Sequence, residues 1–369
     1  MKGHFKQETL DSPNWTFAIV VLLYFIFLFP FLYQRFNSGV FELSGWTVGE
    51  NQLNRQFALH PAVSSSADKR VATRQQRIIF PLVVYLAAFG SPVFIPVLLI
   101  LVNYVALCVM GWLSGMYAQS LGRSALWGLM LPLYSGFLFS LRANSPEIVE
   151  ICLLLGFLLC LLRKRYVVAT VLLSLAALTK ETALLIVMAL AITYFKQATV
   201  RDTIKWFHFT VPFVVFVIWQ TILFLVWGSL PLRLSQRELG LPLAGIGRLS
   251  CGALQTRPIS VLMLFTLIGF TATTALAFVA AIDLKRDSNS RLQGFEIYAF
   301  GLYTLWAFSL NGYLFNYEFD FLRALAEFYL IACVGLFQTK GYGRIAVGSA
   351  MVILWISFAL RMANELGVV

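Results

Sequence analysis

The stretch PVFIPVLLILVNYVALCVMGWLSGMYA, residues 92–118, carries no charged side chain. As a helix it is about 40 Å long, more than the ~30 Å hydrocarbon core of a bilayer. Backbone polar groups inside lipid must be satisfied internally, so a spanning segment is a helix or part of a closed barrel. The chain shows no polar/apolar alternation of a membrane barrel, which leaves helices. Comparable apolar runs occur at 16–34, 124–141, 146–162, 166–179, 182–197, 207–228, 258–282, 294–315, 321–337 and 343–360. Only 12% of the 369 residues are charged and 59% are hydrophobic, against about 25% charged in a soluble domain. The mean hydropathy is +0.79. The expected fold is all-α: a polytopic helical membrane protein with about eleven transmembrane helices, forming a single transmembrane domain over 1–369.

Basic residues in short loops favour the cytoplasmic side. With residues 1–15 as a cytoplasmic tail, the inner connections carry Arg123, then Arg163, Lys164 and Arg165, then Lys196, Arg201 and Lys205. Lys285, Arg286, Arg291, Lys340 and Arg344 follow on the same side. The tail precedes a long apolar run with no small-residue cleavage site, so it reads as a tail and not as a removed signal peptide. Two long loops, 35–91 and 229–257, then lie outside. Residues 78–90, IIFPLVVYLAAFG, are apolar but only about half a span long. Counting them as a span would put the Arg163–Arg165 turn outside, so they read as a short interfacial helix within the first outer loop.

This arrangement collects ionisable residues at one set of span ends. The first outer loop has Glu42, Glu50, Asp68, Lys69, Arg70, Arg74 and Arg77. Later outer turns supply Arg142, Asn144 and Glu147, then Lys180 and Glu181, and last Glu318, Asp320, Arg323 and Glu327. Charges at the membrane boundary usually face a polar cavity or one another. Arginine suits planar contact with phosphate, and a neighbouring carboxylate suits general-base work. The pattern fits an outward cavity for an anionic lipid headgroup. Blander readings stand beside it. Thr179 as an N-cap with Glu181 in the first helical turn would make the Lys180–Glu181 pair a helix start. Arg70, Arg74 and Arg77 would equally form a solvated stripe against lipid phosphates.

Several chemistries find no support. The three histidines are scattered, no CxxC occurs among the five cysteines, and no metal site is implied. The residues imply no cofactor and leave a divalent metal open. The net charge of +11 lies largely in the cytoplasmic loops, so it signals topology and not a nucleic-acid partner. No Gly-rich phosphate loop of a nucleotide-binding fold is present.

Five stretches carry a family resemblance. GENQLNRQFALHP (49–61) is similar to a first-loop GYDGQFYY motif that a proline follows. RQQRIIFPLV (74–83) looks like RYQRILYPLL, LRANSPE (141–147) like LRRDLTE, and LAALTKETALL (175–185) like LAALTRETALL. DFLRALAEFYL (320–330) matches a later arginine-containing span end. Together they resemble the GT-C glycosyltransferases, closest to bacterial mannosyltransferase-like enzymes of cell-surface glycopolymer formation. The resemblance implies a GT-C-like fold in the bacterial inner membrane with its active site on the periplasmic face. It implies inverting transfer of a sugar from a polyprenyl-phosphate donor to a glycan or glycolipid acceptor. Glu50 then stands where the family has an Asp base, with Glu42 in reserve. Arg74, Arg77, Arg142, Lys180 and Arg323 are placed toward the donor phosphate and lipid. Gln52, Asn144, Glu147, Glu181 and Asp320 support them, with Glu181 expected to pair locally with Lys180. The rival expectations are a flippase or transporter of a lipid-linked saccharide, and a non-catalytic scaffold of an envelope-polysaccharide assembly complex.

Overall fold

The computed structural model describes residues 12–38, 58, 75–202, 204–228, 240, 293–310, 320–338 and scattered residues between 345 and 360. Among them every extended element is helical and none is a strand. In chain order the helices are α1 (Pro13–Ser38), α2 (Ile79–Ala87), α3 (Ile95–Ser120), α4 (Gly136–Arg142), α5 (Glu147–Leu162) and α6 (Tyr166–Thr179). They continue with α7 (Leu184–Lys196), α8 (Ala198–Arg201), α9 (Phe207–Trp227), α10 (Gln293–Phe308), α11 (Asp320–Ala324) and α12 (Ala326–Gln338). Two of these, α3 and α9, are long and apolar enough to cross a membrane. The expected run 258–282 and the loop 229–257, apart from Gly240, lie outside the described residues, as does most of the first outer loop.

Two expected continuous runs are broken. Residues 124–141 form a 3₁₀ turn, Ala125–Met130, and then the short α4. Pro132 lies between them, and a proline has no N–H to continue a helix. Residues 321–337 divide at Leu325 into α11 and α12. The two breaks meet. Tyr134 and Tyr329 stack at 4.2 Å between centroids. The Tyr134 hydroxyl donates to the Leu322 carbonyl at 2.7 Å, and the Tyr329 hydroxyl donates to the Met130 carbonyl at 3.1 Å. Tyr24 adds a third bond, to the Pro132 carbonyl at 2.6 Å. Carbonyls released by the breaks are thereby satisfied without water, as an apolar interior requires.

Helix α3 is the scaffold for α1 and for the 3₁₀ turn. Its Gly111 and Gly115 are four apart, the small-xxx-small spacing that lets helices approach closely. A Cβ at Gly115 would come within 2.6 Å of Thr16 Oγ1, and one at Gly128 within 2.4 Å of the Gly115 nitrogen. Helices α5 and α6 pack antiparallel, with the Arg163–Arg165 turn at their far end. Helix α10 packs on α7 and α12. Polar contacts also close the bundle near Arg123. The Arg123 Nε donates to the Phe337 carbonyl at 3.1 Å, and Gln338 Nε2 donates to Glu296 Oε1 at 2.7 Å.

The surface and the interior divide in an unusual way. Phe213, Val217, Ile218 and Leu225 on α9, with Leu22 and Ile26 on α1, are exposed. Glu147, Glu150, Lys180, Arg323 and Glu327 are buried. Large exposed apolar areas mark contact with a membrane or a partner, and buried charges persist only when paired.

Candidate functional site

Three turns, far apart in sequence, converge at the end of the bundle opposite the Arg163–Arg165 turn. Helix α5, sixteen residues long, separates the two ends by about 24 Å. The first turn follows α4. Asn144 there has φ 48°, a left-handed conformation that asparagine tolerates better than most residues. The Ser145 carbonyl accepts from Asn103 Nδ2 at 3.2 Å, which ties the turn to α3. Helix α5 then opens with Glu147 and Glu150 in its first turn, where carboxylates favour the positive end of the helix dipole. Spaced three apart, they share one helical face.

The second turn joins α6 to α7. Thr179 is the last residue of α6, and its hydroxyl donates back to the Leu175 carbonyl at 2.7 Å. It is no N-cap, which corrects that part of the helix-start reading, but Glu181 does open a 3₁₀ turn, Glu181–Ala183, that leads into α7. Lys180 is extended, with φ −158° and ψ 135°, and successive side chains of an extended chain point to opposite sides. Glu181 therefore turns to Arg77: Nε donates to Oε2 at 3.1 Å and Nη2 to Oε1 at 2.8 Å. Lys180 turns inward to Glu327, with Nζ 2.5 Å from Oε1. The expected local pairing of Lys180 with Glu181 is thus replaced by two long-range pairs.

The third turn is the α11–α12 break. It supplies Glu327, fully buried, on which Lys180 and the Thr182 hydroxyl converge. Thr182 also reaches Glu150 Oε1 at 3.4 Å, and Lys180 lies 3.8 Å from Glu150 Oε2. The Tyr303 hydroxyl donates to the Thr182 carbonyl at 3.0 Å, adding α10 to the cluster. Glu147 lies in the fields of Arg323, Lys180 and Arg77.

Electrostatics follow from this geometry. Burial pushes the Glu181 carboxyl up, but the Arg77 charge and its hydrogen bonds outweigh burial and hold it at about 2. Burial would likewise pull the Lys180 ammonium down. Glu327, Glu150 and Glu147 overcome that and hold it well above the ordinary lysine range. Both groups are charged at neutral pH.

Of the expected site residues, Arg77, Asn144, Glu147, Lys180, Glu181 and Arg323 belong to this end of the molecule. Arg142 ends α4, half-buried, five residues before Glu147. Asp320 opens α11, and its side chain lies outside the described residues. Glu42, Glu50, Gln52 and Arg74 also lie outside them. Arg77 is no solvated stripe residue: its side chain is 12% exposed and carboxylate-bound. Sequence reasoning passed over Glu150, Thr182 and Tyr303 and gave Glu327 no role. The signal for Glu150 was its spacing from Glu147 inside an otherwise apolar helix. Among the described residues, no three His, Cys, Asp or Glu side chains are arranged to hold a metal ion.

The cluster can do two things chemically. It fixes cationic groups in position, and it keeps carboxylates beside them in a water-poor interior. No family model, curated protein or solved structure matches this chain.

Proposed function

We propose that the chain is a polytopic membrane glycosyltransferase that moves a sugar from a polyprenyl-phosphate donor to a glycan or glycolipid acceptor at the outer membrane face. One observation carries the reading: acids and bases from three distant turns, with Arg77 from the first loop, assemble at one end. The basic turn Arg163–Arg165 lies at the opposite end of α5, which agrees with a cytoplasmic position for it. Exposed Leu22 and Ile26 on α1 support a membrane span in addition to the candidates α3 and α9.

In this mechanism Glu50 takes the proton of the acceptor hydroxyl. The acceptor oxygen bonds to the anomeric carbon as the bond from that carbon to the phosphate oxygen breaks. Polyprenyl phosphate leaves with the electron pair, and the anomeric configuration inverts. Arg323 and Arg142 meet the developing phosphate charge. Lys180 acts by organising the site, because Glu327 already takes its ammonium at 2.5 Å. The test is sugar transfer by purified protein in liposomes, from polyprenyl-phosphate mannose or glucose to extracted envelope lipids. General-base help is typically worth 10²–10⁴-fold, so Glu50→Gln loses about that factor while remaining membrane-inserted. Near-normal transfer by Glu50→Gln removes that residue from the mechanism.

One observation favours the alternative of a lipid-linked saccharide transporter. Two broken helical segments pack side by side, and discontinuous helices build many transporter sites. The carbonyls at these breaks are taken by tyrosine hydroxyls and do not line a path, which weighs against it. Donor lipid crossing the liposome membrane without any glycoside product would select the transporter.

A further inference from the structure

Next to Arg77 in the chain, and on the stretch of α9 bonded to that segment, lie primary amides that the proposed mechanism does not use. Gln76, the neighbour of Arg77, is 2% exposed, and neither its Nε2 nor its Oε1 has a hydrogen-bond partner. Gln75, 3% exposed, leaves its Oε1 unpartnered. The Gln75 backbone carbonyl accepts from Trp219 Nε1 at 3.2 Å, which fastens this segment to α9. The next residue on α9, Gln220, is 6% exposed, and both of its amide atoms are unpartnered. Most buried polar side-chain atoms are satisfied, and each exception calls for a reason. Three on two joined segments share one reason more simply than three.

A primary amide offers two donor hydrogens and an acceptor oxygen without charge. That set suits hydroxyl groups, which both donate and accept. It suits phosphate poorly, since phosphate wants charged donors, a role the proposed mechanism gives to Arg323 and Arg142. We infer that Gln76, with Gln75 and Gln220, forms a subsite for the hydroxyls of a neutral sugar ring, next to the cationic cluster that would receive the phosphate. This rests on the glycosyltransferase reading and deepens it: the amides, and not the charges, set which hexose is accepted. A site built to hydrogen-bond substrate hydroxyls discriminates strongly against analogues that lack them.

The experiment reads binding, so it is separate from turnover. Thermal stability of the purified full chain is followed with citronellyl phosphate and with citronellyl phosphate mannose or glucose. The proposal expects a larger stabilisation by at least one hexose conjugate than by the phosphate alone. In Gln76→Met this sugar-dependent part falls, with about 10-fold weaker binding for a lost hydrogen bond, while the response to citronellyl phosphate stays. The unliganded Gln76→Met protein melts no lower than wild type, because an unsatisfied buried amide has been removed. Gln220→Leu repeats the test from α9 if Gln76→Met does not fold. An unchanged sugar-dependent shift in the folded variant overturns the subsite, as does a wild type that responds equally to both ligands. Sugar-dependent binding without any transfer would instead retain the subsite and sink the transferase reading.

Discussion

At Lys180 the extended backbone sends one charge inward and its neighbour outward, and this decides what each costs the protein. A buried ammonium is tolerable only while its partners remain. Lys180 has Glu327 at 2.5 Å and Glu150 at 3.8 Å, both fully buried. Lys180→Met leaves both carboxyls without their cation and should destabilise by about 3–5 kcal/mol. Removing Glu327 as well, as Lys180→Met/Glu327→Leu, should recover part of that loss, because an apolar pair replaces the broken ion pair. The check is a melting series on the purified single and double variants at neutral pH. A double variant as unstable as the sum of the two singles would show that the pair is not a coupled unit. The charges themselves were visible in the sequence, but their partners were not. Glu327 is 147 residues from Lys180, and Arg77 is 104 from Glu181. No local spacing encodes such pairs; they exist only after the helices pack.

Elements with uninterrupted apolar runs were readable almost to their ends. The expected 146–162 became Glu147–Leu162, the expected 166–179 became Tyr166–Thr179, and 207–228 became Phe207–Trp227. The short helix expected at 78–90 became Ile79–Ala87. Hydropathy failed where a run is apolar but not helical throughout. Pro132 marks one break in the residues themselves, whereas nothing local marks Leu325. Both breaks are stabilised from a distance, by the tyrosines that cross between them. That cross-bracing gives an element-scale prediction. Tyr134→Phe keeps the stack on Tyr329 but removes the bond to the Leu322 carbonyl. It should lower stability by about 1 kcal/mol, the net worth of one hydrogen bond, since the carbonyl keeps the Leu325 N–H at 3.3 Å. Amide exchange should rise first in α11 and the start of α12, and only weakly in α5 and α6. Uniform loosening of all the helices would mean that the hydroxyl does not hold this joint.

For the whole molecule, polarity from end to end is the property that local sequence encodes least and charge asymmetry encodes most. The Arg163–Arg165 turn and the Lys180–Glu181 turn lie at opposite ends of α6, which alone makes the molecule two-ended. What no single turn reveals is that the acidic and basic residues of the other turns share the Lys180 end. That follows from the packing of α5, α6, α11 and α12. The orientation of this axis in a membrane is open to direct measurement. Lys164 is exposed in the basic turn, and Ser91 lies in the turn between α2 and α3. With Cys251→Ser as background, Lys164→Cys and Ser91→Cys are each challenged in intact cells with a membrane-impermeant thiol reagent. Basic loops stay on the cytoplasmic side, so Ser91→Cys should react in intact cells and Lys164→Cys only after permeabilisation. The reverse pattern would place the Lys180–Glu327 cluster in the cytoplasm, where polyprenyl-phosphate sugars presented at the outer face do not reach it. Labelling of both from outside would break the two-ended arrangement itself, and with it the proposal of sugar transfer at one end.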